Sequence, residues 1–368
     1  MSTSGRRMKE NNSRINNNTN GKEKKKSKKS RKALKIVLIV ILVLVVIIAA
    51  VFAAGYTYIY SMLEEMNQET INLNEVSIDD AVADELSDYR NIALFGIDSR
   101  EDDYGRGNRS DCIIIASVNK KTNEVKLVSV YRDTYLLLTG RSLDKVTHAY
   151  SYGGAELAVS TLNANLDLNI EEYVTVNFDA VVDAVDALGG IRMEITSDEV
   201  KYINNYIDEN NRVTGHNSSH ITTAGTYNLD GVQALAYSRI RYTAGGDYKR
   251  TERMRDVLEA MLNKAKTLSI SELINFVNIM LPKISTNISS NDIIGLAPAL
   301  LNLNISESNG WPEETQGATI GGVYYGVPVT LSENVTKLHE ELFDQQGYTP
   351  SETVQNISEQ IVTRTGIQ

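Results

Sequence analysis

A single cysteine, Cys112, stands in 368 residues, so no intrachain disulfide can form and no cysteine-built metal centre is possible. The four histidines, His148, His216, His220 and His339, show no paired helical spacing, which argues against a zinc enzyme. There is no GxxxxGK-Ser/Thr loop, so an ordinary nucleotide P-loop is absent. A GxSxG elbow and a hydrolase-like Ser/His/Asp order are missing too, as is any internal repeat. The body of the chain is also short of positive charge. The total is −10, yet residues 1–35 hold thirteen Lys/Arg against Glu10 and Glu23. The remainder has 24 basic against 45 acidic residues, which makes it a poor general binder of nucleic acid. No nucleic acid partner is expected.

Polar side chains are absent from Ile36 to Ala54, which reads IVLIVILVLVVIIAAVFAA. As a helix, that run just spans a hydrocarbon core. A cleaved signal peptide is the rival reading, but its apolar region is shorter and its basic region less extended. Lysines on the N-terminal flank keep that end in the cytoplasm, and Tyr56, Tyr58 and Tyr60 fall at an outer interfacial belt. The expected layout is a disordered basic cytoplasmic tail over 1–35, a transmembrane helix over 36–55 and an extracytoplasmic linker over 56–87. A folded domain over 88–350 and a C-terminal tail over 351–368 follow. The chain is thus expected in the cell membrane, single-pass, with its folded part outside.

The folded part, in a chain that is 42% hydrophobic, reads as strands interleaved with helices. Asn91–Ile97 is a strand candidate, and Cys112–Val118 and Val125–Val130 read as a hairpin through the turn residues Asn119 to Asn123. Gly153–Leu166 looks helical. Phe178, Val181, Val182, Val185 and Leu188 fall at helical spacing and stop at Gly189-Gly190, before a strand over Ile191–Ile195. Leu229–Tyr237, Arg250–Leu268, Ser271–Leu281 and Asn291–Leu301 are further helices. The pattern points to an α/β sandwich around a mostly central sheet. Cys112 reads as a buried strand residue and Trp311 as a loop anchor.

Polar clusters sit at the ends of these elements. Asp98-Ser99-Arg100 follows the first strand and Arg109-Ser110-Asp111 precedes the second. Two carboxylates at one sheet edge suit a hard cation such as Mg2+, which takes oxygen ligands and keeps waters for a substrate phosphate. The plainer reading is that each caps a turn or pairs with a neighbouring Arg. Tyr131-Arg132-Asp133-Thr134 follows the next strand. Then Tyr237 to Arg255, YSRIRYTAGGDYKRTERMR, gathers Arg239, Arg241, Lys249, Arg250, Arg253 and Arg255 around Asp247. A solvated charged helix start is the bland reading of such a run. Forked guanidiniums together with a metal ion fit a pyrophosphate, the arrangement that phosphoryl transfer needs.

The ordered motifs NIALFGIDSR, RSDCIIIASV, LVSVYRDTYL, DKVTHAYSYGG and the Arg-rich stretch resemble the LytR-CpsA-Psr family over roughly residues 88–268. The resemblance implies a membrane-anchored, Mg2+-dependent transferase of a Gram-positive bacterium. Such an enzyme moves a glycopolymer (teichoic acid, capsule or another wall polysaccharide) from a polyprenyl-pyrophosphate carrier onto peptidoglycan through a phosphodiester. It further implies an α/β/α sandwich around a central, mostly mixed sheet, with a hydrophobic groove for the polyprenyl tail. Carried over by motif, Asp98 and Asp111 are the Mg2+ ligands, and Arg109, Arg132, Arg239, Arg241 and Arg250 hold the pyrophosphate, with Asp247 close by. Arg253, at the border of this set, and Lys145, in the DKVTHAYS segment, are counted with the pyrophosphate-binding residues.

Two positions depart from the family pattern. Tyr131 stands where proline is usual, and Met254 stands where glutamine is usual, although Met254 also fits the apolar face of its helix. Arg132, Asp247, Arg239 and Arg241 are the catalytic candidates. Asp247, Asp133 and His148 compete as the group that takes the acceptor proton, whereas Arg132 acts electrostatically because deprotonating it is very costly. Arg255 is expected to be solvated. Two other functions use the same residues: a membrane-anchored, polyprenyl-phosphate-binding regulator of the envelope, and a polyprenyl-pyrophosphate hydrolase with water as acceptor.

Overall fold

Why do three strand-end clusters, far apart in the chain, share a neighbourhood? The computed structural model answers this through its sheet; it describes residues 67–68, 76–99, 103–289, 292 and 304–368. The run Ile36–Ala54 and, apart from Asp292, the expected helix Asn291–Leu301 lie outside the described residues. Among the described residues no helix is long and apolar enough to cross a membrane.

Along the chain come β1 (Asn67–Gln68), α1 (Asp80–Glu85), β2 (Tyr89–Ile97), β3 (Ser110–Asn119) and β4 (Glu124–Val130). Then follow β5 (Tyr135–Leu137), β6 (Leu143–Lys145), α2 (Val146–Leu166), β7 (Glu172–Asn177) and α3 (Phe178–Ala187). Next are β8 (Ile191–Ile195), α4 (Ser197–Thr214), β9 (Gly225–Leu229), α5 (Gly231–Arg239), α6 (Gly246–Ala265) and α7 (Ile270–Met280). The chain closes with β10 (Ile284–Thr286), β11 (Asn304–Trp311), β12 (Thr315–Ile320), β13 (Val323–Pro328), α8 (Leu331–Phe343) and α9 (Glu352–Thr365).

Seven strands form one sheet in the order β1-β10-β7-β2-β3-β4-β11. It is mixed: β2 runs parallel to β7 and antiparallel to β3, and β4 runs antiparallel to β3 and parallel to β11. Period-2 alternation in the central strands supplies two apolar faces. Ala93, Phe95, Ile97, Ile113, Ile115, Val128 and Val130 join one core, which includes Tyr150 and Leu162 of α2, Leu338 of α8 and Ile357 of α9. Ile114, Ala116, Val125 and Leu127 face the other way, against Leu258 of α6. Helices thus cover both faces, as the sequence predicts. The hairpin between β3 and β4 turns at Asn119, whose Oδ1 accepts from the Lys121 and Thr122 amides, and at Asn123, which has φ 58°.

Several expectations need correction. Strand β8 forms, but it pairs with β9 in a separate two-stranded sheet. Within α2 the backbone breaks at Gly154, at φ 68° and ψ −159°, so the helix expected over Gly153–Leu166 is present as the second of two helical pieces, and the piece from Val146 was not anticipated. Leu229 ends β9 rather than opening α5. Helix α4 was not anticipated, although a Thr196/Glu199 capping box marks its start and Ile203 and Ile207 bury its inner edge. Trp311 is no loop anchor: it ends β11, fully buried, and its Nε1 donates to the Asn334 carbonyl at 3.0 Å.

Packing also extends past both expected domain limits. Val76, Val82 and Leu86 enter the main core from the presumed linker, and Val354, Ile357 and Ile361 of α9 enter it from the presumed tail. Burying each of these branched side chains is worth about 1.5–3 kcal/mol. A segment with that much apolar surface at helical spacing does not stay loose.

His339 of α8 is fully buried and stacked on Tyr348 at 3.7 Å. Its Nε2 donates to the Leu166 carbonyl at 3.0 Å, and its Nδ1 sits 2.8 Å from Gln345 Oε1. Burial pushes its pKa down, against the opposing pull of those two hydrogen bonds. The folded chain therefore keeps a neutral imidazole that the unfolded chain would protonate below its ordinary pKa of about 6.5. The contribution to stability is complete above that value and is lost as pH falls toward the lower, folded-state pKa. We predict that Tm falls between about pH 7 and pH 5.5, with a shallower fall in His339→Gln than in the wild type. Equal slopes would contradict this.

Candidate active site

Antiparallel pairing brings the three upstream clusters to one edge of the sheet: Asp98 follows the end of β2, Asp111 lies at the start of β3, and Arg132 follows the end of β4. The placement of Asp111 has a local cause. Gly96 pairs with Cys112 and Ile97 with Ser110, so Asp111 is the extra residue of a β-bulge. Bulges re-aim side chains beside active sites. At Gly96 an added Cβ would stand 2.9 Å from the Cys112 Cβ, so glycine is what permits the close approach.

Over this edge lies a cleft of about 420 Å³. Asp98, Asp111 and Arg132 form its floor, Arg239, Arg241 and Arg250 line it from α5, the following turn and α6, and Tyr202, Asn205, Tyr206 and Glu209 line it from α4. Arg132 Nη1 donates to Asp111 Oδ1 at 2.6 Å. Burial raises the Asp111 carboxyl, and the Asp98 charge adds to that; Arg132, Arg250 and Arg109 pull the other way. Arg239 donates to Asn210 Oδ1 at 2.5 Å and Glu209 Oε1 at 3.1 Å, and lies over the rings of Phe178 and Tyr206. Arg132 Nε and the Nε and Nη2 of Arg250 are buried and make no hydrogen bond; Asp133 Oδ1 stands 3.7 Å from Arg132 Nε, and Asp247 3.5 Å from Arg250 Nη2. Buried donors normally have partners. Four guanidiniums lining one cleft are suited to an oxyanion.

The cleft opens onto a different chemistry. Phe178 and Met254 also line an apolar cavity of about 210 Å³, walled by Leu94 and Ile114 of the sheet, Val181 of α3, Leu235 of α5 and Leu258 of α6. Met254 is thus a boundary residue between the polar and apolar spaces. Cys112 lines the same cavity, and burial pushes its thiol up to about 12.

Other expected site residues are placed elsewhere. Asp247 lines an adjoining cleft on the other side of Arg132, together with Asp133. Lys145 binds Asp133 at 2.8 Å and does not line the main cleft. Arg109 acts on Asp111 only through charge. His148 is engaged by Asp144 at 2.9 Å, away from the cleft. Arg253 is 1% exposed: its Nε meets Glu199 at 2.9 Å, its Nη1 the Ile240 carbonyl at 2.9 Å and its Nη2 Thr243 Oγ1 at 2.8 Å. With each nitrogen engaged, it does not face the cleft. Arg255 is buried rather than solvated, and its Nε donates to Ser308 Oγ at 3.0 Å. Tyr202, Asn205, Tyr206 and Glu209 went unnoticed in the sequence along with their helix, although the capping box before it was readable.

The pattern of the LytR_cpsA_psr family matches residues 53–341. The chain belongs to that family. Among its relatives is an Enterococcus faecalis protein named polyisoprenyl-teichoic acid–peptidoglycan teichoic acid transferase TagU. The two are 31% identical over 291 residues, covering 78% of this chain and 86% of that one. A Bacillus subtilis transferase of the same description, TagT, is 35% identical over 240 residues, 64% of this chain and 70% of its own. The solved structure of TagT bound to LIIa-WTA superposes with a TM-score of 0.52 at 28% identity, covering 77% of this chain and 93% of the other. Within this LytR_cpsA_psr protein, the separation of cleft-facing from buried arginines is testable. Removing one partner of a buried ion pair costs about 3–5 kcal/mol. Arg253→Ala is expected to lower stability by about that much in denaturant unfolding, whereas Arg241→Ala, at the exposed rim, should change it by less than about 1 kcal/mol.

Proposed function

We infer that this protein transfers a glycopolymer from a polyprenyl-pyrophosphate carrier to peptidoglycan, leaving a phosphodiester link. It is a transferase. The observation that carries the substrate reading is the junction at Phe178 and Met254, where a cleft lined by four arginines meets an apolar cavity. A lipid pyrophosphate has those two parts in that order: a doubly charged head and a long apolar tail. The relatives named for polyisoprenyl-teichoic acid and peptidoglycan, and the TagT structure holding LIIa-WTA, support the same reading. Ile36–Ala54 would hold the protein in the cell membrane by a single span, with the cleft on the extracytoplasmic side where peptidoglycan lies.

Asp98 and Asp111 fit a Mg2+ ion. Both are hard carboxylate donors facing one cleft, one of them aimed there by the bulge. Among the described residues no group of three or more His, Cys, Asp or Glu could hold a metal, so water and phosphate oxygens would complete the shell, as Mg2+ prefers. When bound, the ion would supply charge neutralisation at the phosphates.

The protein's own residues do the rest. Arg132 and Arg250, with Arg239 and Arg241 at the rim, hold the pyrophosphate oxygens and stabilise charge as it builds on them. The acceptor hydroxyl oxygen forms a bond to the sugar-side phosphorus. The bond from that phosphorus to the bridging oxygen breaks, and polyprenyl phosphate leaves with the electron pair. Asp247 takes the hydroxyl proton. It is half exposed and only loosely paired with Arg250, whereas Asp133 is already committed to Lys145.

The test is the full-length chain with Mg2+, a lipid-linked saccharide and soluble peptidoglycan. Glycan-linked product and free polyprenyl phosphate should appear together, and chelation should stop both. Arg132→Ala and Asp111→Ala are each expected to lower transfer by about 100-fold or more while thermal unfolding stays cooperative. Full activity in both variants would remove this cleft as the site. Phosphate release without acceptor would indicate a hydrolase, and binding without turnover would indicate a regulator.

A further inference from the structure

Beyond Arg132 lies a second cleft, of about 260 Å³, which shares that side chain with the pyrophosphate cleft and differs from it in character. One wall is the Gly245-Gly246 turn with Asp247 and Tyr248; the other is the β12–β13 hairpin, with Thr315 and Tyr324. Tyr248 is 42% exposed and Tyr324 is 53% exposed, two of only six large apolar side chains open to solvent among the described residues. Both rings are held in place by contacts that leave them open to the cleft. Tyr248 packs edge-on against Tyr131 at 4.5 Å. Tyr131 is itself fixed: its amide donates to the Trp311 carbonyl at 2.9 Å, and its hydroxyl sits where a Cβ on Gly310 would stand only 2.1 Å away. Tyr324 lies over Gly317 of the paired strand, where an added Cβ would come within 2.9 Å of the ring.

The charge balance also differs. In the pyrophosphate cleft four arginines stand against three carboxylates, Asp98, Asp111 and Glu209, whereas the second cleft sets one arginine, Arg132, against two, Asp133 and Asp247. Another phosphate would be repelled by those carboxylates. A hydroxyl-rich, uncharged ring would not be: its apolar face can lie on an aromatic ring, and its hydroxyls can donate to carboxylate oxygens.

We propose that this second cleft is the acceptor subsite. It takes one sugar unit of the acceptor glycan against Tyr248 and Tyr324 and directs a hydroxyl across Arg132 toward the donor phosphorus. The proposal rests on the donor reading of the neighbouring cleft. It also gives Tyr131 a task, because its ring supports Tyr248.

Kinetics with the full-length chain, Mg2+, a lipid-linked donor and soluble peptidoglycan strands provide the test. Tyr324→Ala and Tyr248→Ala are expected to raise the acceptor KM by about tenfold while the donor KM stays at the wild-type value. Tyr324→Trp should restore acceptor KM, and Tyr152→Ala, a change at an exposed tyrosine elsewhere, should leave it alone. Saturation-transfer NMR with a soluble peptidoglycan oligosaccharide and no donor gives a readout independent of turnover. Binding should be present in the wild type and lost in Tyr324→Ala. An unchanged acceptor KM in both alanine variants, or equal oligosaccharide binding in wild type and variants, overturns the acceptor subsite and leaves the donor reading standing. A wild type that never processes the donor, yet binds the oligosaccharide through Tyr324, overturns the donor reading and leaves the glycan subsite standing.

Discussion

The buried pair between Arg253 and Glu199 is the constraint on which the site depends. Ionising two groups away from water is costly unless every donor finds an acceptor, and here every Arg253 nitrogen does. The three acceptors belong to α4, to the residue just past α5 and to the turn before α6. One guanidinium therefore fixes the relative position of the segments that carry Tyr206, Arg239, Arg241 and Arg250. Arg250, one turn earlier on the same face of α6, lines the cleft. Arginine is thus used twice within one turn, once to fix the scaffold and once to bind.

The second organising feature is a gradient of polarity along one direction. Strand ends bring carboxylates and Arg132 to the sheet edge, while the sheet face behind them is wholly apolar where α3, α5 and α6 cover it. Phe178 and Met254 mark the change from one to the other. A glutamine at 254 would extend the polar side by one residue, and methionine extends the apolar side instead. This departure from the family pattern moves a boundary and removes no charged group from the cleft.

How much of this was readable beforehand follows from what each signal depends on. The central strands were legible because their alternation is local, and the clusters at Asp98, Asp111 and Arg132 were legible because antiparallel order brings strand ends together. The fate of the later arginines was not. Arg253 and Arg255 look no different in sequence from Arg250; only their distant partners, Glu199 and Ser308, bury them. Helix α4 escaped notice because most of its surface is polar, and with it went the tyrosine wall of the cleft. The C-terminal residues read as a tail because nothing within them shows that Val354, Ile357 and Ile361 have a core to enter. Lys145 was placed by motif near the phosphates, whereas Asp133 holds it on the far side of Arg132.

One backbone irregularity ties the two halves of the donor site together. At the bulge, Gly96 opposes Cys112, and the next residue, Asp111, turns toward the pyrophosphate cleft while Cys112 borders the apolar cavity. Any side chain added at position 96 would press on Cys112. The displacement would reach both neighbours at once, narrowing the apolar cavity and tilting the Asp111 carboxylate. The polar cleft and the apolar cavity therefore cannot be reshaped independently at this point: they share a pivot one residue wide.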